Sequence, residues 1–338
     1  MTKRKSNIEL LRIISMAMVL AVHLDGASLG LPHPAGNIVQ MTSHDWWRLV
    51  VEALMIIGVN CFTLISGYFG IKANCRGFLK LSATCLFYSV GIYLALIVSG
   101  MLPWRWAEFM DSVLIYSHTD LWYVPAYLGL YILSPVLNIA IKYLEQKQYL
   151  WMLLSFVAFN VYCGWMWGAS FNATGYTIMQ LIMMYLIGQY IGRYHHDWNF
   201  GNKTYLYLVI YAIATVLIVV NSLYDAPLHA FAYNSPFVII SSVSFFMWFV
   251  TMKMESKVIN TLATSAFAVY LLHKNPYIWG NIIKPSSIYL WEHLSLLEFT
   301  LAVIFLIVVI YLLTFVVDRL RLYLMSKLFA NNGGKLER

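Results

Sequence analysis

Charge is scarce in this chain. Only 11% of its 338 residues are Asp, Glu, Lys or Arg, whereas soluble domains carry about 25%. Hydrophobic residues make up 61% and mean hydropathy is +0.69. That balance excludes a soluble globular protein. Cysteine is also scarce: Cys61, Cys75, Cys85 and Cys163 show no C-x-x-C spacing and no Cys/His cluster. No zinc site or disulfide framework is indicated, and buried free thiols are expected. G-x-S-x-G, a Walker loop and H-E-x-x-H are all missing. Serine hydrolase, nucleotidase and zinc protease readings therefore have no motif to rest on. There is no internal repeat, heptad run or low-complexity linker. The net charge of +7 would suit a nucleic-acid partner in a soluble protein. In a chain this apolar it reads as the positive-inside bias, and no nucleic-acid partner is expected.

What is present is a series of long apolar runs separated by charge, Pro or Gly. They predict ten spans, at about 8–25, 49–70, 78–99, 121–141, 149–167, 175–194, 204–222, 236–252, 261–281 and 297–317. The expected fold is an all-α integral membrane protein, a bundle of about ten transmembrane helices forming one domain over 1–338. Residues 318–338 are expected to form a short basic tail. With the N-terminus in the cytoplasm, 17 Lys and Arg fall on the inner side and 4 on the outer side, with Arg12 left within the membrane. That asymmetry places both termini inside. The opening TKRK resembles the start of a signal peptide. Arg12 interrupts the apolar run and no clear A-x-A cleavage site follows, so a retained span is expected.

The outer loops are rich in aromatic and imidazole rings. Loops 26–48 and 100–120 carry Trp46, Trp47, Trp104 and Trp106 with His33, His44 and His118; loop 282–296 adds Tyr289, Trp291 and His293. Such Trp residues anchor a chain at the membrane interface. They also offer flat apolar faces on which a sugar ring can stack.

The first span holds two costly side chains in Arg12-IISMAMVLAV-His23. A helix advances about 100° per residue, so the two differ by about 20° after whole turns and lie about 16 Å apart along the axis. They share one face, Arg12 near the inner edge and His23 deeper. Either Arg12 snorkels and His23 is interfacial, or the pair is functional. Glu9 is placed to pair with Arg12 at i,i+3, while Asp25 cannot orient His23 within a regular helix. The spacing suits a phosphate-bearing acyl carrier: Arg grips phosphate bidentately, and a histidine at the end of the arm can act as general base on an alcohol arriving from the other side.

Other polar positions carry paired readings. His273 is about 18 Å along the ninth span, against about 22 Å for His23 in the first. If those helices adjoin, His273 could contact the acceptor or acyl group; otherwise it bonds a neighbouring helix. Trp122 and Tyr123 are either an aromatic belt or an acceptor platform. Pro125 and Pro135 are expected to kink or loosen the fourth span. Ser66-Gly67 permits close helix packing or leaves room for the donor. Asn60 suits an interhelical hydrogen bond, Gly188 and Gly192 suit packing, and Arg48 with Glu52 forms a candidate i,i+4 pair.

Five blocks in order then resemble the acyltransferase 3 family of membrane O-acyltransferases. Arg12-x10-His23, preceded by Asn7-Ile-Glu-Leu-Leu, resembles its R-x10-H signature. VNCFTLISGYF (59–69) resembles its Phe-rich segment ending in Ser-Gly-aromatic, with Thr63 where a Phe is usual. LWYVPAYLGLYILSPVLN (121–138), YLIGQYIGR (185–193) and SAFAVYLLHKNP (265–276) resemble three further family helices; Lys-Asn separates His and Pro in the last. The resemblance implies acyl transfer, usually acetyl from cytosolic acetyl-CoA, to an extracytoplasmic or lipid-linked glycan: capsule, exopolysaccharide or lipid-linked oligosaccharide. It implies a multi-pass protein of a bacterial cytoplasmic membrane, with the lipid bilayer as its surroundings. No cofactor is held permanently, acetyl-CoA being a substrate, and no metal is expected. His23 and Arg12 are the expected catalytic residues. Arg12, Ser66 and Gly67 are the expected donor contacts, and Trp122, Tyr123, His273 and Asn60 the candidates for the acceptor or cavity wall. A glycan transporter or flippase is the alternative for a polytopic chain with polar residues in mid-span.

Overall fold

The computed structural model describes residues 4–31, 41–115, 121–197, 204–224 and 227–330. Among them every regular element is helical and no strand occurs. The order is α1 (Ser6–Val22), α2 (Ser43–Met55), α3 (Gly58–Phe69), α4 (Cys75–Val98), α5 (Trp106–Val113), α6 (Tyr123–Lys142), α7 (Gln146–Phe159) and α8 (Ile178–Tyr194). There follow α9 (Tyr205–Tyr224), α10 (Pro227–Ala230), α11 (Pro236–Thr251), α12 (Lys257–Leu262), α13 (Ala266–His273), α14 (Pro276–Ile278), α15 (Lys284–His293) and α16 (Leu296–Ala330).

Seven of the described helices are long and apolar enough to cross a membrane: Ser6–Ala27, Ser43–Phe69, Cys75–Val98, Tyr123–Lys142, Gln146–Met166, Tyr205–Tyr224 and Leu296–Lys327. The other three expected spans are shorter or broken. Segment 175–194 holds α8, of 17 residues, and 236–252 holds α11, of 16. At about 1.5 Å per residue each falls short of a hydrocarbon core of about 30 Å. Both are buried along much of their length, so their surroundings are other helices. Segment 261–281 is interrupted. A 3₁₀ turn spans Ala263–Ser265, and α13 stops at His273 because Pro276 cannot continue a helix and the Asn275 side chain accepts the Tyr277 N–H. The last helix runs past the expected span to Ala330, so the segment expected as a tail from 318 begins inside a helix. Pro125 lies in the first turn of α6, where no N–H is needed, and only Pro135 lies in its interior.

The helices form a packed interior and a rim. α1 packs against α2, α3, α11, α13 and α16, and α3 packs along α8. The rim helices α4, α6, α9 and α16 turn large apolar side chains outward, among them Leu94, Ile132, Val136, Ile213, Leu301 and Phe305. A surface of that kind suits lipid rather than water. Glycine sets the closest approaches. A Cβ on Gly67 would strike the Tyr185 carbonyl, one on Gly188 the Leu64 carbonyl, and one on Gly192 would lie 2.7 Å from the Tyr68 carbonyl. These small residues let the α3 and α8 backbones touch.

Segments expected on one side of the membrane meet at one end of the bundle. Arg4, Lys5, His195, His196 and Lys253 line a common hollow of about 700 Å³ there. At this basic end Lys5 donates to the Tyr68 hydroxyl (2.7 Å). Asp318, fully buried, accepts from Arg321 Nε (2.6 Å), the Ser265 hydroxyl (2.7 Å) and the Tyr88 hydroxyl (3.1 Å), tying α16 to α4 and to the 3₁₀ turn before α13. All four cysteines are free; Cys61 and Cys85 are buried as expected, whereas Cys75, at the start of α4, is exposed and Cys163 is half-buried, against that expectation.

Candidate active site

The site is built on α1. Arg12 lies toward the basic end, where its Nε donates to Glu9 Oε2 at 3.2 Å. Burial makes that local pairing worth having, since Glu9 is only 7% exposed and a lone buried carboxylate is costly. The two line a cavity of about 390 Å³ together with Arg4, Ser66, Phe62, Tyr123, Tyr127 and Phe267. Deeper in, Phe62, Tyr123 and Phe267 also form the start of a narrow passage. Met16, Val19, Val59, Trp122, Tyr233 and Tyr270 continue its wall, and His23 lies along it. The open volume in this passage is about 30 Å³, against about 390 Å³ in the cavity. Arg12 at a wide mouth and His23 in a narrow apolar passage are thus joined by one helical face.

At His23 the helix widens. His23–Ala27 forms a π-turn that shifts the side-chain register after the last regular turn of α1. The Ser28 hydroxyl donates back to the His23 carbonyl at 2.8 Å. Asp25 is aimed away from His23, at α2: its Oδ1 accepts from Arg48 Nε at 2.6 Å. Arg48 also bonds the Gly30 carbonyl and lies over the Trp291 ring at 5.0 Å. This corrects the expected Arg48–Glu52 pair, because a buried guanidinium takes the carboxylate that can meet it head-on. Glu52 is left 3% exposed, packed against Gly26, with no hydrogen-bond partner on Oε2 among the described residues.

The His23 ring meets α13. His23 Nδ1 lies 2.7 Å from His273 Nε2, and His273 Nδ1 lies 2.6 Å from the Val269 carbonyl oxygen. Trp279 packs edge-on to His23 with centroids 5.8 Å apart, and Lys274 lies 4.1 Å over the same indole. The break after His273 lets the chain turn and bring Trp279 back onto His23.

The other expected site residues divide. Ser66 lines the wide cavity; its hydroxyl donates to the Phe62 carbonyl at 3.2 Å and lies 3.5 Å from the Tyr127 hydroxyl. Gly67 does not line it and is the α3–α8 contact instead, because consecutive helical residues point to different faces. Trp122 and Tyr123 both line the passage, and Trp122 packs edge-on to Tyr176 (4.8 Å) and tilted against Tyr233 (5.7 Å). Asn60 is fully buried outside the passage wall, donating to the Tyr233 carbonyl (3.0 Å) and accepting from Gln180 Nε2 (3.1 Å). His273 touches His23 but does not itself line the passage. The outer-loop rings Trp104 and Trp106 cluster with Phe109, and neither lines the passage. His44 packs on Trp291, and His33 and His118 lie outside the described residues. Phe267, Tyr233, Tyr270 and Trp279 were not singled out in the sequence. Phe267 and Tyr270 have a signal in hindsight, since both sit within SAFAVYLLH ahead of His273. Tyr233 and Trp279 lie in connections and carry none.

The arrangement can hold an elongated molecule with an anionic end at the Arg12 mouth and its reactive end beside an imidazole. Among the described residues no group of three or more His, Cys, Asp or Glu is placed to hold a metal ion. Comparison with known proteins bears on the same chemistry. No curated protein and no solved structure gives a match. The family described as "Acyltransferase domain" matches residues 5–317, nearly the whole chain and every element that builds the cavity and the passage. With that coverage, and with its apolar membrane-length helices, the chain is a membrane acyltransferase belonging to the acyltransferase 3 family.

Proposed function

We propose that the protein transfers an acetyl group from cytosolic acetyl-CoA to a hydroxyl of an extracytoplasmic or lipid-linked cell-surface glycan. Its setting is a bacterial cytoplasmic membrane, with both termini and the basic end in the cytosol. The observation that carries this reading is the wide Arg12 cavity narrowing to an apolar passage that ends at His23. A phosphorylated donor offers its charge to Arg12 and a slender thioester arm to the passage. The acceptor enters from the opposite end.

His23 then acts as general base. Its free ring nitrogen takes the acceptor hydroxyl proton as the oxygen attacks the thioester carbonyl. Collapse of the tetrahedral intermediate breaks the C–S bond, and the leaving thiolate takes the proton back from the imidazolium. The products are acetyl ester and free thiol. In the covalent variant the same nitrogen first accepts the acetyl group and then passes it to the hydroxyl. Trp122 and Tyr233 supply apolar faces beside His23 against which a sugar can lie.

The test uses purified protein in lipid nanodiscs with acetyl-labelled acetyl-CoA, followed by analysis of surface glycan from cells producing each variant. Wild type is expected to release free thiol and to put base-labile acetyl on the glycan. His23→Ala is expected to insert and bind donor but to leave the glycan unacetylated. Full acetylation by His23→Ala would end the assignment.

A further inference from the structure

The geometry points to His273 as the positioning residue that fixes which nitrogen of His23 reacts. The inference rests on the acyl-transfer reading above, but its starting point is the hydrogen-bond chain alone. A carbonyl oxygen can only accept, so the 2.6 Å contact with Val269 requires the proton of His273 on Nδ1. His273 is fully buried, and no carboxylate contacts its ring among the described residues. A charged ring there would lack compensation, so the neutral form, with one proton, fits the site. That proton being on Nδ1, Nε2 of His273 carries a lone pair. It lies 2.7 Å from His23 Nδ1, so His23 must donate from Nδ1. The lone pair of His23 is then on Nε2, and His23 is the member of the pair that lines the passage.

His273 is held for this task by its own helix. Val269 is four residues before it on α13, and α13 ends at His273, so one turn of the same helix sets the ring against the Val269 carbonyl. When His23 Nε2 takes a proton, the positive charge spreads toward Nδ1–H, which already faces the His273 lone pair. His273 therefore works through His23: its Nδ1 is committed to Val269 and its Nε2 to His23, and neither nitrogen is left for substrate. If the reaction is covalent, the acyl group is placed on Nε2 of His23.

Three proteins in nanodiscs test this: wild type, His273→Gln and His273→Leu. The carboxamide oxygen of Gln can accept from His23 Nδ1; Leu cannot. His273→Leu is expected to lower kcat by about 10²-fold or more, the scale of a lost general-base contribution. Its KM for acetyl-CoA should stay close to wild type. His273→Gln should recover at least about tenfold of that loss. Nitrogen-15 NMR of labelled histidine, taken with no donor present, should show His23 protonated on Nδ1 in wild type and a mixture of tautomers in His273→Leu. An Nε2-protonated His23 in wild type would overturn the inference, as would near-normal kcat in a folded His273→Leu. Should both variants fail to fold, the wild-type spectrum alone decides. Should wild type show the Nδ1-protonated ring yet transfer no acyl group, the acyl-transfer reading fails while the tautomer stands.

Discussion

Arg12 gives the sharpest test of the donor end. Replacing it with Ala removes a guanidinium from the wall of the 390 Å³ cavity. A hydrogen bond to a charged group contributes about 1.5–3 kcal/mol. At about 1.4 kcal/mol per tenfold, Kd for acetyl-CoA should rise about 10- to 150-fold. Arg12→Lys keeps the charge but loses the planar fork, so its loss should be smaller. The substitution also strands Glu9, bonded to Arg12 at 3.2 Å and 7% exposed. Arg12→Ala with Glu9→Gln separates the two effects, because the neutral amide no longer needs a cation. Calorimetric titration of detergent-purified protein with acetyl-CoA and with acetyl-pantetheine makes the comparison. The second donor has the same thioester arm and no phosphate. Its affinity should be close to unchanged in every Arg12 variant. Equal losses for the two donors would refute the phosphate role, and so would no loss for either.

Packing and polar contacts give further predictions. Gly67→Ala puts a methyl group on the Tyr185 backbone and should cost about 1–3 kcal/mol. Gly91→Ala, with nothing within 4 Å of the new Cβ, should instead stabilise by up to about 1 kcal/mol; melting curves in one detergent compare them. Asp318→Ala strands Arg321, which is 8% exposed, and should cost about 3–5 kcal/mol, read as lost folded yield and a lower melting temperature. Phe267→Ala removes one of the three rings shared by cavity and passage. Acetyl-CoA hydrolysis without acceptor should then rise several-fold, measured as free thiol released.

Spans with a full membrane length of apolar residues could be read from the sequence, since length and hydropathy alone define them. The face shared by Arg12 and His23 could be read too, because the helix stays regular up to Val22. The depth of His273 was legible, and its contact with His23 was not: depth follows from counting along one helix, whereas adjacency depends on which helices pack. Ser66 and Gly67 show a similar limit. One residue reaches the cavity and the next a neighbouring backbone, and no single-residue propensity separates them. Burial overrode local pairing at Arg48, where Asp25 on another segment replaced Glu52 one turn away. The broken ninth segment had its cue in Asn275-Pro276, outweighed by the apolar run around it.

The narrowness of the passage also bears on the membrane itself. On the acyl-transfer reading proposed above, a protein that admits water from one face and an alcohol from the other is one continuous wet column away from being a leak. Phe62, Tyr123 and Phe267 stand where the cavity of about 390 Å³ meets a passage whose open volume is only about 30 Å³. An ion would have to shed its hydration to go through, which apolar rings do not compensate. On the same acyl-transfer reading, the three side chains that flank a slender thioester arm would also keep the bilayer electrically insulating while the chemistry proceeds.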